Sequence, residues 1–90
     1  MKEIIAAKTG ADVTQQIYLP NGDNWASIAA SGLAGAEVIS LEIDLNGTWT
    51  APVPAIELTT AATYIQVAGP GTYRINKPIT AGPVAVFRQG

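Results

Sequence analysis

The chain has 90 residues and a formal net charge of −2, with five Lys or Arg residues against seven Asp or Glu residues. This length allows one small domain and excludes a catalytic cleft between two domains. The absence of cysteine and histidine excludes disulfides, thiolate or imidazole metal sites, and catalysis by Ser–His or Cys–His pairs. The slightly acidic balance argues against nucleic-acid binding, which requires a basic surface.

Charged residues make up 13% of the chain, against about 25% in an ordinary globular protein. This low charge is explained either by a surface of uncharged polar and small residues or by a partner that covers part of the surface. No apolar run reaches the length of a signal peptide core or of a membrane span. We therefore expect a soluble protein that is made in a cytoplasm and has no membrane partner.

The alternation of apolar and polar residues predicts short strands and no long helix. Residues 1–12 are expected to form an N-terminal arm or an edge strand, and residues 13–90 a single domain. The first strand of that domain, residues 13–19, is predicted to place Val13, Ile17 and Leu19 on one face. The Ala-rich run 26–30 is interpreted as a further strand.

The clearest strand is predicted at residues 37–45, where apolar and polar residues alternate over nine positions. Asn46 and Gly47 follow it and indicate a hairpin. A two-residue loop would place Asp44 opposite Trp49, whereas a three-residue loop would place Ile43 there. Burying a tryptophan is worth about 2–3 kcal/mol over exposing it, so we predict the longer loop with a bulge at Gly47.

Four more strands are predicted at residues 55–59, 62–68, 72–76 and 84–88, the last of them as an edge or late-paired strand. Pro52 and Pro54 keep the segment before residue 56 out of a central ladder. Seven or eight short strands separated by regular turn signals predict an all-β fold. We expect a single small antiparallel β-sandwich with the rhythm of immunoglobulin-like and fibronectin-like domains, the alternative being a small barrel.

No group of side chains indicates catalysis, and we predict no enzymatic activity, no cofactor and no metal. Glu42 and Asp44 share one strand face, but two carboxylates on a strand are better explained as a solvated sheet surface than as a calcium site or an acid–base pair. Residues 21–24 carry oxygen ligands without the frame of a calcium loop, so a turn is the better interpretation.

The residues proposed for contact with a partner are Tyr18, Trp25, Tyr64 and Arg74. Tyr18 and Tyr64 fall on outward faces, where aromatic residues among few charges favour a protein contact. Arg74 is a candidate for ion pairs at the rim of such a contact. The alternative is a carbohydrate-binding module, which requires Trp25 and a tyrosine to be exposed together.

Four stretches carry a resemblance to a known class of proteins: residues 29–37 (AASGLAGAE), 46–50 (NGTWT), 69–78 (GPGTYRINKP) and 80–84 (TAGPV). In this pattern, residues 26–88 resemble small β-sandwich proteins encoded among the structural genes of tailed bacteriophages. The resemblance brings no catalytic or binding residues with it. The missing cysteine pair separates the chain from antibody domains.

The resemblance implies a virion structural protein, such as a capsid decoration (cement) protein or a head or neck accessory protein, that binds the shell in many copies and stabilises it. The partners it implies are the major capsid protein or other virion proteins, and further copies of the chain in a homo-oligomer, with a trimer among the options. The implied location is the virion, after synthesis in the host cytoplasm.

Overall fold

The computed structural model describes all 90 residues and contains ten β-strands in two antiparallel sheets that pack face to face. In chain order the strands are β1 (Lys2–Lys8), β2 (Asp12–Val13), β3 (Ile17–Leu19), β4 (Trp25–Ser31), β5 (Ile39–Leu45), β6 (Thr48–Thr50), β7 (Glu57–Leu58), β8 (Tyr64–Ala68), β9 (Gly71–Lys77) and β10 (Val84–Gln89). The chain forms no helix, and so none that could cross a membrane. The predicted all-β sandwich is confirmed.

The four-stranded sheet has the order β1–β10–β4–β8. The last strand of the chain, β10, therefore lies inside this sheet, so of the two predicted alternatives, an edge strand or a late-paired strand, the edge strand is wrong. Its first three residues, Val84, Ala85 and Val86, are all buried. Strand β1 forms one edge, where Ile5 enters the core, and β8 forms the other.

The six-stranded sheet is built around the central pair β9 and β5. Strands β2 and β3 follow one another along the outer edge of β9, and β6 and β7 do the same along β5. Val13 pairs with Asn76 whereas Ile17 pairs with Tyr73, so the segment 13–17 contains one residue more than the facing part of β9. This bulge turns Val13 to the outer side. Its predicted position beside Ile17 is therefore wrong.

The core lies between the sheets and is made almost entirely of aliphatic side chains. The alternation of β5 buries Ile39 and Leu41, and that of β9 buries Ile75. The facing strands of the other sheet contribute Ile28 and Val86. These side chains belong to one contiguous cluster, which joins the two sheets into one domain.

The β5–β6 hairpin has a two-residue loop, so the predicted three-residue loop is wrong. Asp44 pairs with Trp49, and both central residues have positive φ angles, 56° at Asn46 and 93° at Gly47. The Asp44 carboxylate also accepts a hydrogen bond of 2.7 Å from the Gly47 N–H. Trp49 thus lies on the outer side of its sheet, where the Arg74 guanidinium covers its ring at 4.6 Å from the centroid. Because the guanidinium shields one side of the ring from water, Trp49 can lie on the outer side of the sheet.

A fully buried lysine joins the loops at one end of the sandwich. The Lys77 ammonium donates to the Gly10 carbonyl at 2.7 Å, the Pro78 carbonyl at 3.1 Å and the Thr80 hydroxyl at 3.2 Å. The Thr80 hydroxyl in turn donates to the Gly82 carbonyl. Lys77 therefore links β9 to the loop before β2 and to the loop before β10.

Glu37 connects the same loop before β10 to the segment that precedes β5. Its carboxylate accepts hydrogen bonds from the Ala81 N–H at 2.7 Å and the Ala34 N–H at 2.9 Å. These two bonds, the one from Ala81 first, hold the pKa of Glu37 below its usual value.

Candidate functional site

In the four-stranded sheet the charged residues are concentrated at one edge, where β1 contains Lys2, Glu3 and Lys8. Strands β4 and β8 contain no charged residue, and the one charged residue of β10, Arg88, pairs with the buried Ile28 and lies on the inner side. The outer side of these three strands is therefore uncharged. We call it the uncharged face; its residues are Trp25, Ser27, Ala29, Ser31, Tyr64, Gln66, Ala68, Ala85, Phe87 and Gln89.

The register of the three strands arranges this face in rows. Phe87 and Tyr64 flank Ala29, so two aromatic side chains lie on either side of a small one. In the next row, Gln89 and Gln66 flank Ser27. An aromatic row thus lies beside a row of two amides, which offers stacking surfaces next to hydrogen-bond donors and acceptors.

Tyr64 leans along the sheet. The Tyr64 hydroxyl lies 3.0 Å from the Ser27 hydroxyl. Ser27 is two residues before Ala29, the cross-strand partner of Tyr64 in β4. The Gln66 amide donates to the same Ser27 hydroxyl at 3.4 Å. These contacts hold the Tyr64 side chain while half of it stays exposed.

Trp25 lies on the same face, opposite Ala68, and is also half exposed. It is four residues from Ala29, the partner of Tyr64, which corresponds to about 14 Å along the strand. The structure therefore brings together two of the four predicted contact residues, Trp25 and Tyr64.

The other two predicted contact residues lie on the opposite side of the molecule. Tyr18 pairs with Thr72 on the outer side of the six-stranded sheet and is 65% exposed. Arg74 lies on that side as well, but its guanidinium forms an ion pair with Glu42 and covers Trp49. Arg74 is thus engaged within the chain.

The acidic residues examined from the sequence take part in local structure. Glu42 is paired with Arg74, and Asp44 supports the hairpin loop. In the predicted turn at residues 21–24, the Asn21 side chain accepts a hydrogen bond from the Asp23 N–H. No group of three acidic side chains is close enough to hold a metal ion. Asp12 has a pKa below its usual value because its carboxylate accepts hydrogen bonds from Lys8 and from the Val13 N–H.

A groove of about 600 Å³ opens between β1 and the bulged segment that joins β2 to β3. Its lining includes Lys2, Glu3, Arg88 and the polar run Thr14–Gln16. Arg88 donates within the chain to the Gly90 carbonyl at 3.0 Å. The groove thus contains two cations and one carboxylate.

Sequence reasoning did not identify Phe87, Gln66 or Gln89 as neighbours of Trp25 and Tyr64. The spacing of Val84 and Val86 is the sequence signal from which the outward direction of Phe87 and Gln89 could have been predicted. The position of β10 beside β4 was the missing information, since a pattern gives the face of a strand but not its neighbour.

Comparison of the chain with protein-family models, curated proteins and solved structures gives no match in any of the three.

Proposed function

We propose that this chain is a non-catalytic structural protein that attaches to a larger assembly through the uncharged face. In the specific form of the proposal it is a capsid decoration protein, or a head or neck accessory protein, of a tailed-phage virion, with the major capsid protein or another virion protein as partner. The assignment to a virion rests on the sequence resemblance. The structure supplies a surface suited to contact.

The observation that carries the proposal is the absence of charged side chains on the outer side of β10, β4 and β8. The nearest charge on that side is Glu3 of the edge strand β1, which pairs with Phe87. Centres of protein interfaces are poor in charged residues and rich in aromatic ones, because a charge buried at a contact loses its hydration. The uncharged face has this composition, with three aromatic residues among small and amide side chains. The opposite sheet carries Glu42, Asp44, Glu57 and Arg74 on its outer side, which suits exposure to water.

The test is binding of the purified chain to capsids of the phage whose genome encodes it, measured by co-sedimentation. Ala29→Arg introduces a charge at the centre of the face, where the long side chain can extend outward without disturbing the core. Thr72→Arg is the matched control, since Thr72 is a half-buried outer residue of an interior strand in the other sheet.

We expect the original chain and the Thr72→Arg variant to sediment with the capsids to saturation, and Ala29→Arg to lose most of this binding. A chain that does not sediment with capsids contradicts the virion assignment. Equal binding by the Ala29→Arg variant contradicts the assignment of the face.

One observation favours a second candidate, a carbohydrate-binding module. Trp25 and a tyrosine, Tyr64, are exposed on the same sheet face, with Gln66 between them as a hydrogen-bonding group. This arrangement suits a sugar ligand, because aromatic rings can stack on sugar rings and a side-chain amide can bind sugar hydroxyl groups.

A glycan array separates the two candidates. If the face binds sugar, Trp25→Ala and Tyr64→Ala will each lower the array signal at least about tenfold, because each removes a stacking surface. Tyr18→Ala, on the opposite sheet, will leave the signal unchanged. The absence of a signal with the original chain rules out binding to the glycans on the array.

A further inference from the structure

Strand β8 is a sheet edge that contains no charged residue, no proline and no bulge. Proteins protect edge strands with charged residues, prolines, bulges or a very short strand, because an open edge pairs with other chains. β8 has five residues, Tyr-Ile-Gln-Val-Ala, with no charge and no proline, and pairs with β4 in continuous register.

The register shows which backbone groups of β8 are unpaired. The Ala30 N–H donates to the Thr63 carbonyl and the Gly69 N–H donates to the Asn24 carbonyl, both at 2.9 Å. Because hydrogen-bonded pairs alternate along an antiparallel ladder, the odd-numbered residues from 63 to 69 face β4. The backbone groups of Tyr64, Gln66 and Ala68 therefore point away from the sheet.

Among these outward groups, the Ala68 carbonyl accepts a hydrogen bond of 2.7 Å from the Tyr73 hydroxyl. A carbonyl oxygen has two lone pairs, so this bond leaves it able to accept another. Tyr64 and Gln66 keep both their N–H and their C=O groups for an incoming strand.

The other three sheet edges are protected. β1 contains two register irregularities and the charged residues Lys2, Glu3 and Lys8. The edge formed by β2 and β3 is broken by the bulge. Pro52 and Pro54 lie between β6 and β7. One edge out of four is thus left open, which indicates that it has a partner.

We propose that β8 pairs with β8 of a second copy of this chain, antiparallel and centred on Gln66. A two-fold axis at this residue places Gln66 opposite Gln66 of the second copy, so that the two side-chain amides can bond to each other. The same register places Tyr64 opposite Ala68 of the second copy, large against small. The self-complementarity of the segment identifies a second copy, rather than another protein, as the occupant.

The pairing joins two four-stranded sheets into one continuous sheet of eight strands. The two uncharged faces then form one surface of twice the area. The pairing yields a dimer and not a trimer, because antiparallel pairing of one edge with itself closes after two copies. It does not depend on what the face binds.

Charged substitutions of Gln66, the residue at the two-fold axis, test the pairing. We expect sedimentation equilibrium of the original chain to show a monomer–dimer equilibrium. Gln66→Lys and Gln66→Glu will each weaken dimerisation by about tenfold or more, because like charges then face each other across the axis. An equimolar mixture of the two variants will form dimers again, because each hybrid dimer pairs lysine with glutamate.

Gln16→Lys is the control, since Gln16 is an exposed residue at the bulge, far along the chain from β8. It should dimerise like the original chain, and circular dichroism should show all variants folded, since substitutions at exposed positions leave the core intact. A monomeric original chain at millimolar concentration, a trimer, an unaffected Gln66→Lys dimer, or a mixture that stays monomeric would each overturn the proposal. Sedimentation without capsids or glycans distinguishes this result from a failure of the proposed function.

Discussion

Replacing the buried Lys77 by methionine tests whether a lysine without a carboxylate partner stabilises this fold. Methionine keeps an unbranched apolar stem in the same space but lacks the ammonium group. The substitution removes three charge-assisted hydrogen bonds, to Gly10, Pro78 and Thr80. It also removes the cost of holding a charge away from water, which acts in the opposite direction.

The size of the net effect follows from the oxygens left behind. The Thr80 hydroxyl keeps its bond to Gly82, while two backbone carbonyls lose a partner. A buried acceptor without a partner costs about 1–3 kcal/mol, and water can reach part of this region because Gly10 and Pro78 are exposed. We therefore expect Lys77→Met to lower the free energy of unfolding by about 3 kcal/mol. A domain of this size has about 5–13 kcal/mol in all.

Urea unfolding followed by tryptophan fluorescence measures this loss as a lower midpoint with an unchanged slope. The expected fall in melting temperature is about 12–24 °C. Lys8→Met is the matched control, because Lys8 forms an exposed ion pair with Asp12 and should change stability by about 0.5 kcal/mol or less. If Lys77→Met is as stable as the original chain or more stable, the three hydrogen bonds do not outweigh the cost of burying the charge, and the reasoning is refuted.

Three further predictions concern the loops and the opposite sheet. Gly47→Ala should destabilise the chain by about 1–2 kcal/mol in urea, because φ is 93° there, whereas Gly82→Ala, with no atom near its added Cβ, should be close to neutral. Since the folded state lowers the pKa of Glu37, its contribution to stability is present at neutral pH and is lost as the pH falls below about 4. Glu37→Gln should therefore show a smaller loss of stability between about pH 5 and 3, and an unchanged profile would contradict this role. Arg74→Leu should cost about 1 kcal/mol in urea and shift the emission of Trp49, and an unchanged spectrum would show that the guanidinium does not cover the ring.

Strands could be predicted from the sequence where one face is buried and the other is not, because apolar and polar residues then alternate. The alternation in residues 37–45 identified β5, and the strand predicted at residues 72–76 lies within β9. The pattern succeeds here because β5 and β9 are continuous antiparallel strands packed on the core by one face.

The remaining features depend on contacts between distant residues. The hairpin prediction failed because it counted only the burial of Trp49 against the core, while Arg74, 25 residues further along the chain, covers the ring from outside. Val13 was misplaced because a one-residue bulge has no clear sequence signal. Lys77 reads as an ordinary surface lysine, since the three oxygens that hold it belong to two separate loops and become neighbours only in the fold.

For the candidate site, the sequence identified Trp25 and Tyr64 as candidate contact residues but did not place them on one surface. Their pairing partners lie in β4 and β8, which are separated by more than thirty residues of chain that form much of the other sheet. Arg74 was predicted to contact a partner protein because the sequence does not show that Glu42 and Trp49 lie next to it in the fold.

The interior position of β10 affects how the chain can fold during synthesis. The ribosome produces β10 after the other nine strands, yet β10 lies between β1 and β4, so the four-stranded sheet cannot form until residues 84–89 have emerged. Until then β1 and β4 each have an unpaired edge, and Phe87 is missing from its row on the uncharged face. Pairing the first strand with the last also requires closing a loop of almost the full chain length, which slows folding. We therefore expect the uncharged face to be among the last surfaces of this domain to form.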